Sequence, residues 1–220
     1  MTSRISTASP PYAKPKVFCI GFHKTGTTSL YAALSELEYR VTGTVLHHWS
    51  AEDIQARGSA ECIRIMEAFD GAEDMPWPHF FRELDEAYPG SKFILSTRAE
   101  EKWYGSINNH FGHQATELNA FAYGRERARA SDHKDHWIQT YRQHNDTVRD
   151  YFKDRPGDLL EIDVTNGEGW GKLCAFLGHK VPSTPFPAKN TSTARQSLAY
   201  RVKRKFWLMM GRTPHPERLV

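Results

Sequence analysis

Cysteine is scarce: Cys19, Cys62 and Cys174 are the only three, they lie far apart, and no C-x-x-C pair occurs. That spacing excludes a disulfide framework and a zinc ribbon. Cys19 and Cys174 fall within apolar patterns, where cysteine behaves as a small buried hydrophobe. No run reaches the ~18 apolar residues that a membrane span requires. Residues 1–15, MTSRISTASPPYAKP, lack the apolar stretch of a signal peptide and are polar and Pro/Ser-rich, so a disordered arm and a cytoplasmic protein are expected. Charge of one sign is also lacking. The net value of +3 gives no nucleic-acid footprint. Eleven histidines are present, but H-E-x-x-H is not. The turn-spaced pairs His110/His113 and His133/His136 lack a third ligand at motif spacing, so no metal is expected.

What is present is an alternation of short apolar runs and amphipathic stretches. KVFCIGF (16–22), SKFILSTR and DLLEIDV read as strands, with weaker candidates at 39–45 and 70–73. Between them, TTSLYAALSELE places Leu30, Ala33, Leu34 and Leu37 on one helical face. Ser50 followed by Asp53 marks the start of another helix. Helices are also expected after Pro76 and Pro78, over AEEKWYGSINNHF, over HKDHWIQTYRQHNDTVRDYFKD, and over EGWGKLCAFLG up to Gly178. This alternation predicts an α/β fold with a parallel sheet between helical layers.

The first strand runs into GFHKTGTTSL. A strand–loop–helix junction leaves helix N-terminal N–H groups unpaired, and these attract phosphate. The ATP-binding loop reads G-x-x-x-x-G-K-S/T. Gly21 and Gly26 keep that separation, but Thr27 holds the lysine position and the lysine lies inside the loop, at Lys24. A tight turn with capping threonines is the plain alternative. A lysine set among Thr25, Gly26, Thr27, Thr28 and Ser29 suits a multiply charged oxyanion better. A second anion site is indicated by Arg98, at the end of SKFILSTR, with Ser106 eight residues on in the following helix. Ligands of open α/β sheets bind beyond the C-terminal strand ends, and guanidinium forks onto phosphate oxygens. The alternative for Arg98 is a surface ion pair with Glu100 or Glu101.

GFHKTGTTSL resembles the 5′-phosphosulfate loop of sulfotransferases that use 3′-phosphoadenosine 5′-phosphosulfate (PAPS). In that loop lysine precedes a hydroxyl residue, glycine and two more hydroxyl residues. Arg98 with Ser106 is similar to the family's 3′-phosphate site, and LLEIDVTNGEGWGKLCAFLG to its late strand and helix. PWPHFFRELDEAYPGSKFIL resembles the compact group of the family. The resemblance implies a P-loop-type three-layer fold over residues 16–190, PAPS as co-substrate and no metal. It implies Lys24 as the group stabilising the leaving phosphate, and Thr25 to Ser29, Arg98 and Ser106 as donor-binding residues. Ser29 stands where cytosolic members carry an adenine-stacking tryptophan. The family's C-terminal glycine-rich loop is not recognisable, and FPAKNTSTARQ, with Lys189 or Arg195, is its candidate replacement. At the place of the family's usual histidine base, EDMPW offers Asp74, whose alternative role is to cap the helix near Pro76. Glu73 and His79 are the nearest substitute bases, with His47 and His48 farther off.

Residues 191–220 carry Arg201, Lys203, Arg204 and Lys205 beside a helical face of Leu198, Val202, Phe206 and Met209. Such a helix could rest on a membrane surface, a lipid-like acceptor, the domain itself or a second copy in a homodimer. The acceptor is expected to be a small molecule, a glycan or a lipid-like compound. Its pocket would have Trp77, Phe80, Phe81, Phe111, Phe121 and Tyr123 as candidate walls, which hints at an apolar compound. Two other functions remain: an ATP/Mg-dependent small-molecule kinase, with Asp163 as the metal carboxylate, or a nucleotide-binding protein without turnover.

Overall fold

The computed structural model describes residues 14–188. The arm before residue 14, Lys189, Arg195 and the expected C-terminal helix lie outside the described residues.

Five strands form one parallel sheet in the order β2-β3-β1-β4-β5. They are β1 (Val17–Cys19), β2 (Val41–Thr42), β3 (Gly71–Ala72), β4 (Lys92–Ser96) and β5 (Leu159–Ile162). β1 is central: Phe18 pairs with Ala72 of β3 on one side and with Phe93 of β4 on the other. Its alternating side chains feed two cores, as period-two geometry requires. Val17 and Cys19 face helices α1 (Thr27–Glu36) and α7 (Trp170–Leu177), joining Leu30, Leu34, Ile94 and Leu173. Phe18 and Ile20 face α2 (Ala51–Met66), α3 (Phe81–Ala87) and α6 (Lys134–Phe152), joining Ile54, Leu84, Phe93 and Phe152. The sheet is thus covered on both faces, which is the three-layer α/β architecture expected.

A third apolar cluster sits beyond the C-terminal strand ends. It packs Phe22 of the loop against Trp103 and Ile107 of α4 (Glu100–Phe111), Tyr123 of α5 (Glu117–Tyr123), and Trp137 and Tyr141 of α6. α5 has no counterpart in the sequence reading. Its N-cap is Thr116, whose side chain accepts from the N–H of Asn119 at 3.1 Å. It is tied to α2 by Glu117, which accepts from the Ala51 N–H at 2.8 Å, and by Arg125, which bridges Glu117 and Glu52. Ser50 caps α2 through the Asp53 N–H, as expected. After Pro76 the chain first makes a 3-10 turn (Trp77–Phe80) before α3 begins.

Candidate active site

β1 ends because the loop must pass close to β4. A Cβ on Gly21 would collide with the backbone and hydroxyl of Ser96. Ser96 then meets the Thr25 hydroxyl at 2.6 Å, while Thr25 donates to the Phe22 carbonyl, also at 2.6 Å. Thr25 is fully buried and does not face the cavity, so its part is to hold the loop from beneath. Trp103 donates to the His23 carbonyl at 2.9 Å, and the His23 ring meets the Tyr123 hydroxyl at 3.0 Å. Burial, with Lys24 and His110 nearby, lowers the His23 pKa to about 3, so its ring is neutral.

Two side-chain-bearing residues of this region sit in the left-handed backbone region: Lys24 at φ 66° and Asp74 at φ 69°. Such conformations cost L-residues on the order of 1–2 kcal/mol and persist where the surroundings hold them. Gly26, at φ 101°, is the residue for which this conformation is free, and a Cβ there would strike Val164. Thr27 and Thr28 follow as the first turn of α1, where N–H groups have no intrahelical acceptor.

One cavity of about 1460 Å³ lies over this junction. It is lined by Lys24, Gly26, Thr27, Thr28, Ser29, Asp74, Arg98 and Ser106 among others. Eight of the nine residues singled out in the sequence therefore meet around one space; Thr25 lies below it. Arg98 is part of the cavity wall rather than a surface ion pair. Glu100 pairs with Arg142 at 2.6 Å and Glu101 with Lys134 at 2.9 Å. Arg98 instead donates from Nη1 to the Lys24 carbonyl at 3.2 Å, and its Nε is buried with no hydrogen-bond partner. Its backbone N–H donates to the Tyr141 hydroxyl at 2.9 Å, and that hydroxyl donates to the Arg98 carbonyl at 3.0 Å.

Asp74 does not cap the following turn. The N-cap position there is Pro76, without a side-chain bond, and Asp74 Oδ1 accepts instead from the adjacent Met75 N–H at 2.8 Å. Burial raises the Asp74 pKa, opposed by that N–H, by Lys24, and by hydrogen bonds with Thr27 and Thr44. Glu73 and His79, the substitute bases, do not line the cavity, and neither do His47 and His48. His79 is held neutral by burial and the neighbouring His144 and His23, which lower its pKa to about 3.

The expected aromatic walls are largely core. Trp77 is fully buried and donates to the Gly43 carbonyl at 2.9 Å. Phe80 and Phe81 belong to the core under α2 and α3, with Phe121 packed against it. Tyr123 stacks on Trp137 with centroids 3.5 Å apart. Phe111 alone of the six reaches the cavity, whose nearby wall is mixed: His110, Gln114, Thr116, Leu118, Asn119, Thr44 and Met75. The hint of an apolar acceptor thereby loses most of its carriers, because these aromatics build the core under α2 and α3 and the cluster around Phe22 instead.

Several cavity residues escaped the sequence reading. Lys102 follows Arg98 by four and precedes Ser106 by four, and Asn109 follows at the next turn, so α4 presents one polar stripe. That spacing was the available signal. Val164, Thr165, Phe186, Pro187 and Ala188 close the other side. The last three begin the FPAKNTSTARQ stretch. Gly169 makes room for Phe186: a Cβ there would lie 2.8 Å from its ring.

Comparison with known proteins concerns the sequence as a whole. The sequence model of the family described as "Sulfotransferase domain" matches residues 16–195. "Ava biosynthesis cluster protein M" of Aspergillus versicolor is 27% identical over 216 residues of alignment, covering 80% of this chain and 81% of that protein.

Proposed function

The chain belongs to the sulfotransferase domain family, and on that premise we propose that it moves a sulfuryl group from PAPS to a hydroxyl or amine of a small-molecule acceptor. The observation that carries the donor assignment is the buried, unpartnered Nε of Arg98 at the edge of the cavity that holds the lysine loop. A buried guanidinium nitrogen without a partner costs free energy unless a ligand completes it, and an anion does so best. Two anion sites, the loop at the end of β1 and Arg98 at the end of neighbouring β4, suit a donor that carries phosphate at both its 5′ and 3′ positions.

In this reading PAPS supplies an activated sulfuryl group on a phosphate. Lys24, with Gly26, Thr27, Thr28 and Ser29, holds the 5′ end and neutralises charge on the leaving phosphate, the electrostatic work that dominates comparable phosphoryl transfers. Arg98, Ser106 and Lys102 hold the 3′-phosphate. Val164, Thr165 and Phe186 replace the missing tryptophan around the adenine. Asp74 takes the acceptor proton; its raised pKa brings it nearer the working range of a general base. The relative's name places that protein in a biosynthesis cluster, which supports a small-molecule acceptor.

The kinase reading is less well supported. Thr27 holds the lysine position, and Asp163 is engaged with the Thr165 N–H at 2.9 Å and the Thr165 hydroxyl at 2.6 Å. The test is transfer of label from [35S]PAPS to water and to a panel of small hydroxyl and amine compounds. Wild type releases or transfers label, and Asp74→Asn loses turnover about 100- to 10,000-fold while retaining the bisphosphate product. Absence of any label release by wild type defeats the proposal.

A further inference from the structure

Arg98 lies in the gap between a strand and a helix. The β4–β5 ladder stops at Thr97, whose N–H donates to the Ile162 carbonyl at 2.9 Å. At the start of α4, the Trp103 N–H donates to the Ala99 carbonyl at 2.8 Å. Between these two points, one side chain meets both main-chain groups of Arg98. The Tyr141 hydroxyl, on α6, accepts from the Arg98 N–H at 2.9 Å and donates to the Arg98 carbonyl at 3.0 Å. A phenol can serve both because it accepts and donates at once.

We propose that Tyr141 is a positioning residue for anion binding: by clamping the Arg98 main chain, it keeps the guanidinium in the wall of the large cavity, at a fixed separation from the lysine loop. Arg98 has two spaces open to it. Besides the large cavity it lines a smaller one of about 280 Å³, whose other walls include Glu100, Glu161 and Asp163. Carboxylates attract a guanidinium as phosphate does. With its backbone free to rotate, Arg98 would divide its time between the two spaces, and an anion in the large cavity would lose its partner for that share. The backbone, and not the side chain alone, therefore has to be held.

The tyrosine is itself held in place. It is buried and stacks on Trp103 of α4, with ring centroids 4.3 Å apart and planes 12° apart. Trp103 donates from Nε1 to the His23 carbonyl at 2.9 Å, and Arg98 Nη1 donates to the Lys24 carbonyl at 3.2 Å. These contacts close a circuit from the loop through Trp103, Tyr141 and Arg98 back to the loop. The two anion-binding elements are thereby braced against each other. Burial and stacking account for the ring of Tyr141; they do not account for a hydroxyl that spends both its bonds on the backbone of one residue.

The role assigned to Tyr141 rests on the donor-site reading above, and the experiment separates the two. Tyr141→Phe removes the hydroxyl and keeps the ring against Trp103. Calorimetry should show its affinity for adenosine 3′,5′-bisphosphate falling about tenfold while that for adenosine 5′-monophosphate stays within about twofold, since only the 3′-phosphate uses Arg98. In an Arg98→Ala background the same substitution should cost the bisphosphate no more than about twofold, because the clamp then has no guanidinium to place. A tyrosine with a structural role alone would weaken both ligands alike, in both backgrounds.

Wild-type bisphosphate affinity in Tyr141→Phe overturns the proposal, as does an equal loss for both ligands or an undiminished loss in the Arg98→Ala background. Amide hydrogen exchange needs no ligand: the Arg98 amide should exchange slowly in wild type and at least about tenfold faster in Tyr141→Phe. An Arg98 amide that exchanges in wild type as fast as an open loop amide overturns the proposal even if Tyr141→Phe fails to fold. Failure of wild type to bind adenosine 3′,5′-bisphosphate instead counts against the donor assignment, and the exchange measurement then judges the clamp by itself.

Discussion

Replacing Arg98 by alanine removes the guanidinium whose Nη1 meets the Lys24 carbonyl at 3.2 Å and whose buried Nε has no partner. If that guanidinium holds a 3′-phosphate, the loss is a charge-assisted, two-pronged contact, worth about 1.5–3 kcal/mol. At 1.4 kcal/mol per tenfold, bisphosphate affinity falls roughly 10- to 150-fold. The ligand pair isolates the cause. Adenosine 3′,5′-bisphosphate and adenosine 5′-monophosphate differ only in the 3′-phosphate, so the monophosphate should lose no more than about twofold. Isothermal titration of both ligands against wild type and Arg98→Ala completes the cycle, at one fixed ionic strength because salt screens such contacts. If both ligands weaken equally, Arg98 acts by bracing the loop through the Lys24 carbonyl, and its assignment to the 3′-phosphate is refuted.

Two further outcomes concern stability. Gly26→Ala combines a left-handed backbone with a Cβ driven into Val164, so it should cost about 2–4 kcal/mol and lower Tm by roughly 5–15 °C in a thermal melt. Retention of wild-type Tm would contradict the described loop geometry. The folded state raises the Glu73 pKa, so it binds more protons than the unfolded chain, and stability falls as pH rises from the unfolded value toward the folded one. Glu73→Gln has no such proton to lose; its Tm advantage over wild type should widen between pH 4 and pH 8, and a constant difference would argue against a buried, raised Glu73.

That the loop and Arg98 meet around one cavity was legible in the sequence because such strand-end junctions are local. A strand, a few loop residues and the next helix turn make up the junction, and Lys24 to Ser29 are consecutive. Ser106 was legible for the same reason, eight residues into the helix that follows Arg98. Asp74 could be placed by its proline context, but its rival role as a cap could be dismissed only once Pro76 was seen at the N-cap. What the sequence hid is non-local. The buried place of Glu73 depends on the missing Cβ of Gly43, thirty residues away. α5 depends on Glu117 reaching the Ala51 N–H and on Arg125 reaching Glu52. Trp77, Phe80, Phe81 and Tyr123 look the same as pocket walls and as core until the packing is known, since burial is a tertiary property. β2 and β3, two residues each, were visible only as faint runs because short parallel strands carry little periodicity.

The proposed function requires a cavity that takes a nucleotide with both a 5′ and a 3′ anion and that lacks the lysine an ATP loop would need. Calorimetric titration of the wild-type protein with adenosine 3′,5′-bisphosphate, beside ADP with Mg²⁺, tests it most directly. The bisphosphate is expected to bind at least about tenfold more tightly, the difference of one good charged contact. Equal or tighter binding of ADP with Mg²⁺ would contradict it.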